Sequence, residues 1–167
     1  MSQPLIIIDA QHQFLDTDHY NNCIKGIIKQ IKLAKRRNDY IIFVEYVNSR
    51  KRIINKQPSS DPTIQSILSQ VSNYKKVLYV YKVDDNGGRE VVHTLRKKRI
   101  PRSNVRVCGA YASFCVAQTT DVMAKKLKRS KILLMKKAIT CYEDNYRDKL
   151  NALTQLTFEH ENVFIRN

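Results

Sequence analysis

Apolar residues gather along the chain in six short, nearly uninterrupted runs: LIIID at 5–9, YIIFVEYV at 40–47, VLYVYK at 77–82, VRVCGA at 105–110, KILLMK at 131–136 and NVFIR at 162–166. Runs of this length, rich in β-branched and aromatic residues and lacking polar alternation, predict strands buried on both faces. Between them polarity follows a helical period. Ile24, Ile27, Ile28 and Ile31 recur at i, i+3, i+4 and i+7 while Lys25, Lys29 and Lys32 face away. Ile64, Ile67, Leu68 and Val71 repeat the pattern, with Asp61 as N-cap and Pro62 at the first helical position. Apolar spacing predicts further helices over about 88–99, 114–129 and 143–157.

Six strands alternating with five helices imply an α/β fold: a mostly parallel sheet, wound by right-handed crossovers and covered on both faces. No repeat, low-complexity linker or composition break divides the chain, so one domain over 1–167 is expected. In such sheets ligands bind beyond the carboxyl ends of the strands, near the point where strand order reverses.

Three chemically capable side chains fall at that edge. Asp9 ends the first strand, Lys82 ends the third, and Cys115 follows the fourth after the loop GAYASF, where the next helix starts. A cysteine in the first turn of a helix feels the positive end of the dipole, and a nearby ammonium adds to it, so a thiolate is expected near neutral pH. A carboxylate beside it can take the thiol proton and return it to a leaving group. Backbone N–H groups at Cys115 and near Tyr111 can hold the oxyanion of a tetrahedral intermediate. Singly, each residue has a plainer reading: a turn-forming aspartate, the first solvated residue after a strand, a small buried hydrophobe. Their joint placement at one edge favours the chemical one.

Composition refines this picture. The segment MSQPLIIIDAQ has no basic leader and only a four-residue apolar run, Leu5 to Ile8, so a soluble cytoplasmic protein without a membrane partner is expected. Cys23, Cys108, Cys115 and Cys141 have neither zinc-site spacing nor the density of a disulfide scaffold, and read as reduced thiols. The formal charge of +15 comes from runs spread along the chain: AKRR, SRKR, RKKRIPR and KKLKRSK. It admits binding of nucleic acid or another polyanion, or simply a solvated lysine-rich surface. The runs contain no interleaved aromatics on which bases would stack, which favours the solvated surface.

The segments around the three residues resemble the isochorismatase-like cysteine hydrolases, a family that includes nicotinamidase and N-carbamoyl amide hydrolases. LIIIDAQHQFLD is similar to that family's LLVIDMQNDFL and puts its catalytic aspartate on Asp9. VLYVYKVDDNGG resembles the strand bearing the catalytic lysine and selects Lys82 over Lys75 or Lys76. VRVCGAYASFCVAQTTDVMAKK resembles the nucleophile segment VVVCGVATDYCV and selects Cys115 over Cys108. The resemblance implies a three-layer αβα fold, a thioester acyl-enzyme, a cis peptide at Ala110-Tyr111 and self-association into a dimer or larger oligomer. It further implies a pocket lined by Phe14, Tyr111 and Phe114, with Gln13 as a substrate contact.

The chain departs from the family pattern at defined places. Gln13 replaces a second aspartate, Asn86, Gly87 and Gly88 replace Ser-Ala-Phe, and Ser113 replaces an aspartate while keeping N-cap ability. EYVNSRKR lacks the Asp-x-His cluster of zinc-bearing nicotinamidases, and His12, His19, His93 and His160 have no ligand spacing, so neither a catalytic metal nor another cofactor is expected. The expected activity is cleavage of an amide or carbamoyl C–N bond in a small substrate, anionic if Arg89 or Lys51 lies near the mouth. An enol-ether hydrolase of the isochorismatase type, or an idle basic module binding polyanions, stands as the alternative.

Overall fold

The computed structural model describes residues 3–15, 18–48, 59–142 and 145–167, so Lys51 and the SRKR run lie outside the described residues. In chain order the elements are β1 (Leu5–Ile8), α1 (Asn21–Arg36), β2 (Ile41–Tyr46), α2 (Gln65–Leu68, tightening into a 3-10 turn at Ser69–Val71) and β3 (Val77–Lys82). Then follow α3 (Gly88–Lys97), β4 (Asn104–Gly109), α4 (Cys115–Lys126), β5 (Lys131–Ile139), α5 (Tyr146–Glu159) and β6 (Val163–Arg166). The strands form one sheet in the order β3-β2-β1-β4-β5-β6, and every pairing is parallel. Strand order reverses between β1 and β4, and sheets of this kind have their crevice above the carboxyl ends at such a point.

The central strands form where the apolar runs predict them, because burial on both faces leaves no room for polar alternation: all of β1 and nearly all of β2 is buried. Helix α1 buries Ile24, Ile27, Ile31 and Ala34 and keeps Lys25, Lys29 and Lys32 exposed, as its period requires. It packs across β1, β4 and β5, while α3, α4 and α5 pack side by side in sequence. No helix among the described residues is long and apolar enough to cross a membrane.

Two helix starts differ from the sequence reading. Asp61 and Pro62 do not open the second helix, which begins at Gln65 after Ile64. The Asp61 carboxylate instead accepts the Gln13 N–H at 3.0 Å, and Thr63 pairs with Gln11 in an isolated antiparallel bridge. This segment is held down by side-chain hydrogen bonds that local spacing does not encode. The last helix begins at Tyr146 and ends at Glu159, because Asn145 caps it by accepting the Arg147 and Asp148 N–H groups at 3.1 and 3.3 Å.

The end of the sheet away from the crevice is closed by a buried ion pair within the apolar run of β4. Arg106 donates to Asp39 at 3.0 Å, to the Gln3 carbonyl at 3.2 Å and to Gln30 Oε1 at 3.1 Å. The two charged side chains are 2% and 0% exposed. Asp39 in turn accepts the Gln3 N–H at 2.8 Å, tying the chain start to the α1–β2 turn. Removing one partner strands the other charge in the core. Arg106→Met is therefore expected to cost about 3–5 kcal/mol in denaturant unfolding, most of it recovered in the Arg106→Met, Asp39→Leu double variant. A single-variant loss below about 1 kcal/mol, the range of solvated pairs, would contradict the dry environment assigned to the pair.

Candidate active site

The crevice is floored by the carboxyl ends of β1, β2 and β3 and by the loop after β4. Asp9 follows the last residue of β1 and has a positive φ of 48°, a left-handed conformation that aspartate tolerates better than most residues. The turn carries its side chain off the strand line while leaving it fully buried. Lys82 ends β3, two strands away, in register with Tyr46 of β2. Its stem therefore has to cross the end of β2, and its Nζ lies 5.6 Å from the centroid of the Tyr46 ring on the way.

Lys82 and Asp9 form an ion pair at 2.8 Å with side chains 1% and 0% exposed. The ammonium also donates to the Asp84 carbonyl at 2.9 Å and to Cys115 Sγ at 3.5 Å. An ammonium has three protons, and three acceptors stand around this one. Gly87 makes room for this arrangement, since a Cβ there would lie 2.7 Å from Val44 Cγ1 and 3.1 Å from Lys82 Cδ. Gly87 and Gly88 thus let α3 begin close to the lysine stem and α4. The Gly87 N–H donates to Thr119 Oγ1 at 3.0 Å.

Cys115 is the first residue of α4, placed there by the loop 110–114. Gly109 gives the loop its direction: its φ is 127°, and a Cβ would collide with the Ile8 carbonyl, so only glycine lets β4 end this close to β1. The Ala110-Tyr111 peptide is cis. The Tyr111 carbonyl accepts from Phe114 and Val116, which closes the loop onto the helix. Ser113 does not cap α4; Phe114 occupies the N-cap position and no side chain caps it. Among the described residues no acceptor meets the backbone N–H of Tyr111 or of Cys115, so both donors are unengaged beside the sulfur's loop.

Aromatic rings border the site. Phe14 meets Tyr46 and Tyr111 edge-on at 6.3 and 6.2 Å, and the Tyr111 hydroxyl donates to the Phe14 carbonyl at 2.7 Å. Phe114 is half exposed, and Gln13 is exposed with its backbone tied to Asp61. Two groups that the sequence reading passed over prove central. The buried Gln11 amide donates to the Tyr46 carbonyl at 3.0 Å, to Ser59 Oγ at 3.1 Å and to the Asp61 carbonyl, while its oxygen accepts the Tyr46 N–H at 2.7 Å. It thereby stitches the segment after β1 to β2 and to residues 59–61. Asp85, exposed at the mouth, lies 3.7 Å from Cys115 Sγ through Oδ1 and accepts from Gln118 Nε2 at 3.4 Å through Oδ2. An acidic pair following the strand-end lysine was the available signal for Asp85, and nothing local marked Gln11.

Among the described residues no metal-ligating group assembles from Asp9, Cys115 or their neighbours. Among the described residues one trio is close enough to share an ion, Asp121, Glu159 and His160, and it lies on α4 and α5, apart from the sulfur. Asp121 already pairs there with Lys125 at 2.8 Å and contacts His160 Nε2 at 2.9 Å.

The electrostatics correct one expectation. Burial, together with Asp9 and Asp85, pushes the Cys115 thiol up to about 12 against the pull of Lys82. The helix-start dipole contributes about 0.3–1 kcal/mol, less than one pKa unit, and does not reverse that direction. The resting sulfur is a thiol. Burial likewise raises the Asp9 carboxyl above the usual carboxylate range, moderated by Lys82, the thiol and the Tyr46 backbone. A carboxylate of raised basicity in contact with a thiol is suited to taking a proton during attack.

No protein-family model matches the sequence, and no curated protein matches it. Solved structures do match the fold, which is the three-layer αβα fold of the isochorismatase-like hydrolases. The chain is similar to the nicotinamidase/pyrazinamidase from Bacillus subtilis, with 15% identity over 100% of both chains and a TM-score of 0.78. It is similar to the nicotinamidase from Staphylococcus aureus, with 15% identity over 99% of this chain and 100% of that one and a TM-score of 0.76. It also matches the N-carbamoylsarcosine amidase from Thermoplasma acidophilum, with 15% identity over 100% of this chain and 96% of that one and a TM-score of 0.69.

The raised thiol pKa has a measurable sign. Alkylation of Cys115 by iodoacetamide, followed by peptide mass spectrometry, is expected to accelerate with pH up to about pH 10 without a plateau, since only thiolate reacts. Asp9→Asn removes a charge that holds the thiol protonated and should speed alkylation at neutral pH, whereas Lys82→Met should slow it. A plateau reached by pH 7 in the unaltered protein would contradict this account.

Proposed function

We propose that the chain is a cysteine hydrolase that cleaves the C–N bond of a small amide or carbamoyl compound through a thioester on Cys115. The observation that carries the reading is the buried Lys82 ammonium, 2.8 Å from Asp9 and 3.5 Å from Cys115 Sγ. The similarity to nicotinamidases and to an N-carbamoylsarcosine amidase supports an amide-cleaving chemistry.

In this mechanism Cys115 Sγ bonds to the substrate carbonyl carbon as Asp9 takes the thiol proton, so no free thiolate accumulates. The carbonyl oxygen gains negative charge and is met by the Tyr111 and Cys115 N–H groups. Collapse breaks the C–N bond, and the leaving nitrogen takes the proton from Asp9. Asp9 then removes a proton from water as its oxygen attacks the thioester, and returns it to the sulfur. Lys82 keeps Asp9 oriented and in its anionic form between steps. Phe14, Tyr111 and Phe114 flank the substrate, and Gln13 contacts it from the β1 loop.

Asp85 bears on the choice of substrate. An anionic substrate was expected from Arg89 and Lys51, but the charged group nearest the sulfur at the mouth is the Asp85 carboxylate. It would accept an N–H of the scissile nitrogen and repel an anion, which favours neutral or cationic amides. Self-association belongs to the same proposal: Phe114, Tyr142 and Phe158 leave large rings exposed that a second copy would cover. A monomeric mass by light scattering at working concentrations would remove that element.

The test is a hydrolysis screen over neutral, cationic and anionic amides, carbamoyl compounds and isochorismate. Amide or carbamoyl turnover is expected, falling at least about 1,000-fold in Cys115→Ala, the order seen when a nucleophile is removed. Asp85→Asn should shift relative kcat/KM toward anionic amides. Turnover of isochorismate that survives Cys115→Ala would replace the amide reading with enol-ether hydrolysis.

A further inference from the structure

The strongest feature unrelated to the thiol is a cationic groove on the α1 side of the sheet. Helix α1 presents Lys25, Lys29, Lys32, Lys35 and Arg36 to a hollow of about 740 Å³ that also touches Gln70. Lys25 and Lys29 also border a second hollow, of about 500 Å³, shared with Lys137 of β5 and with Lys149 and Tyr146 of α5. Gly26 brings the helix onto β5, where a Cβ would overlap the Lys137 carbonyl. The two hollows thus form one continuous path lined by seven cations and, among the described residues, by no carboxylate. None of the seven makes an ion pair among the described residues, where the pairs formed involve Lys82, Arg106, Lys125 and His160. Seven cations with no ion pair among the described residues thus lie along one path.

Geometry narrows the partner. From Lys25 through Lys29, Lys32 and Arg36 the α1 cations repeat at i, i+4, i+7 and i+11, one face of a helix, with axial steps of about 5–6 Å. At the end of this row stands Tyr146, 58% exposed, with the Lys136 and Lys149 ammonium groups 5.1 and 5.8 Å from its ring centroid. The basic runs hold no interleaved aromatic in sequence, but folding supplies one from α5. An exposed ring beside a line of cations suits a strand whose bases are unpaired and free to stack. Duplex bases are not available for stacking, and a membrane-lying helix would present an apolar face, whereas α1 offers the groove half-buried Ile28 and buried Cys23 among its cations.

We propose that the α1/β5/α5 groove binds single-stranded nucleic acid, with phosphates along the α1 lysines and a base on Tyr146. This site is separate from the proposed catalytic centre and stands whether or not the chain hydrolyses amides.

The experiment is fluorescence anisotropy of the full chain with a labelled 20-nucleotide single-stranded RNA, with inorganic polyphosphate as a competitor lacking bases. If about four phosphates are neutralised, affinity should fall about 50-fold between 50 and 200 mM salt. Combined reversal of Lys25→Glu, Lys29→Glu, Lys32→Glu and Lys137→Glu should abolish binding. Reversal of four exposed cations elsewhere, Lys97→Glu, Lys98→Glu, Arg102→Glu and Lys128→Glu, should weaken it far less. Tyr146→Ala should lower RNA affinity at least about fivefold and leave polyphosphate affinity unchanged. Equal losses from the two reversal sets would mean binding by bulk charge and overturn the proposal. Loss of polyphosphate binding alongside RNA in Tyr146→Ala, or no effect on either, would also overturn it, because the ring would then not read a base. All substituted positions except Lys149's neighbour Tyr146 are simple exposed cations, and matched thermal melts check that each variant is folded.

Discussion

An ammonium group buried at the end of a sheet has to be given acceptors for all its protons, and that demand organises the top of this molecule. Lys82 meets it with a carboxylate at 2.8 Å, a main-chain carbonyl at 2.9 Å and a sulfur at 3.5 Å. Leaving any one out would expose a buried charge to a loss of several kcal/mol. The local irregularities of the crevice follow from it. Asp9 adopts a left-handed φ at the end of β1, the chain after β3 turns so that the Asp84 carbonyl comes back to its own lysine, and Gly87 withholds a side chain that would strike the stem. One strand, β2, lies between those of the lysine and the aspartate, so the parallel register of β1, β2 and β3 is what makes the pairing reachable.

The same cluster explains why a sulfur at a helix start is not automatically a thiolate. One cation faces two carboxylates near Cys115, and burial opposes any further negative charge. Within the proposed chemistry this is an advantage, since a protonated, poorly exposed sulfur is spared adventitious oxidation and alkylation, and its proton moves only when a carbonyl carbon is there to accept the electron pair. The basicity of Asp9, raised by the same burial, supplies the driving force for that transfer. At the opposite end of the sheet Arg106 and Asp39 put a buried ion pair to a different purpose: it fixes the chain start and the α1–β2 turn.

The sheet and the crevice could be read from the chain because strands buried on both faces leave uninterrupted apolar runs, and because the residue closing each run marks the carboxyl edge. Asp9, Lys82 and Cys115 were visible as candidates for that reason. What could not be read depended on contacts between distant segments. Arg106 sits inside an apolar run and looks like an interruption until Asp39 is seen beneath it. Gln11 appears as one more polar loop residue, although its amide ties together residues 46, 59 and 61. Asp61-Pro62 has the form of a helix start, yet hydrogen bonds to Gln11 and Gln13 use it otherwise. Tyr146 joins the lysines of α1 only because the fold sets the start of α5 at the hollow that Lys137 also lines.

The central claim is that the sulfur above this buried ion pair carries the substrate's acyl group. Its most direct test is intact-mass spectrometry of the protein quenched in acid during turnover of an amide, followed by peptide mapping of any adduct. The account predicts a mass increase equal to the acyl group, located on Cys115 and released by hydroxylamine as a thioester is. Product accumulating with no acyl mass on the protein, or with the mass on another residue, would contradict it.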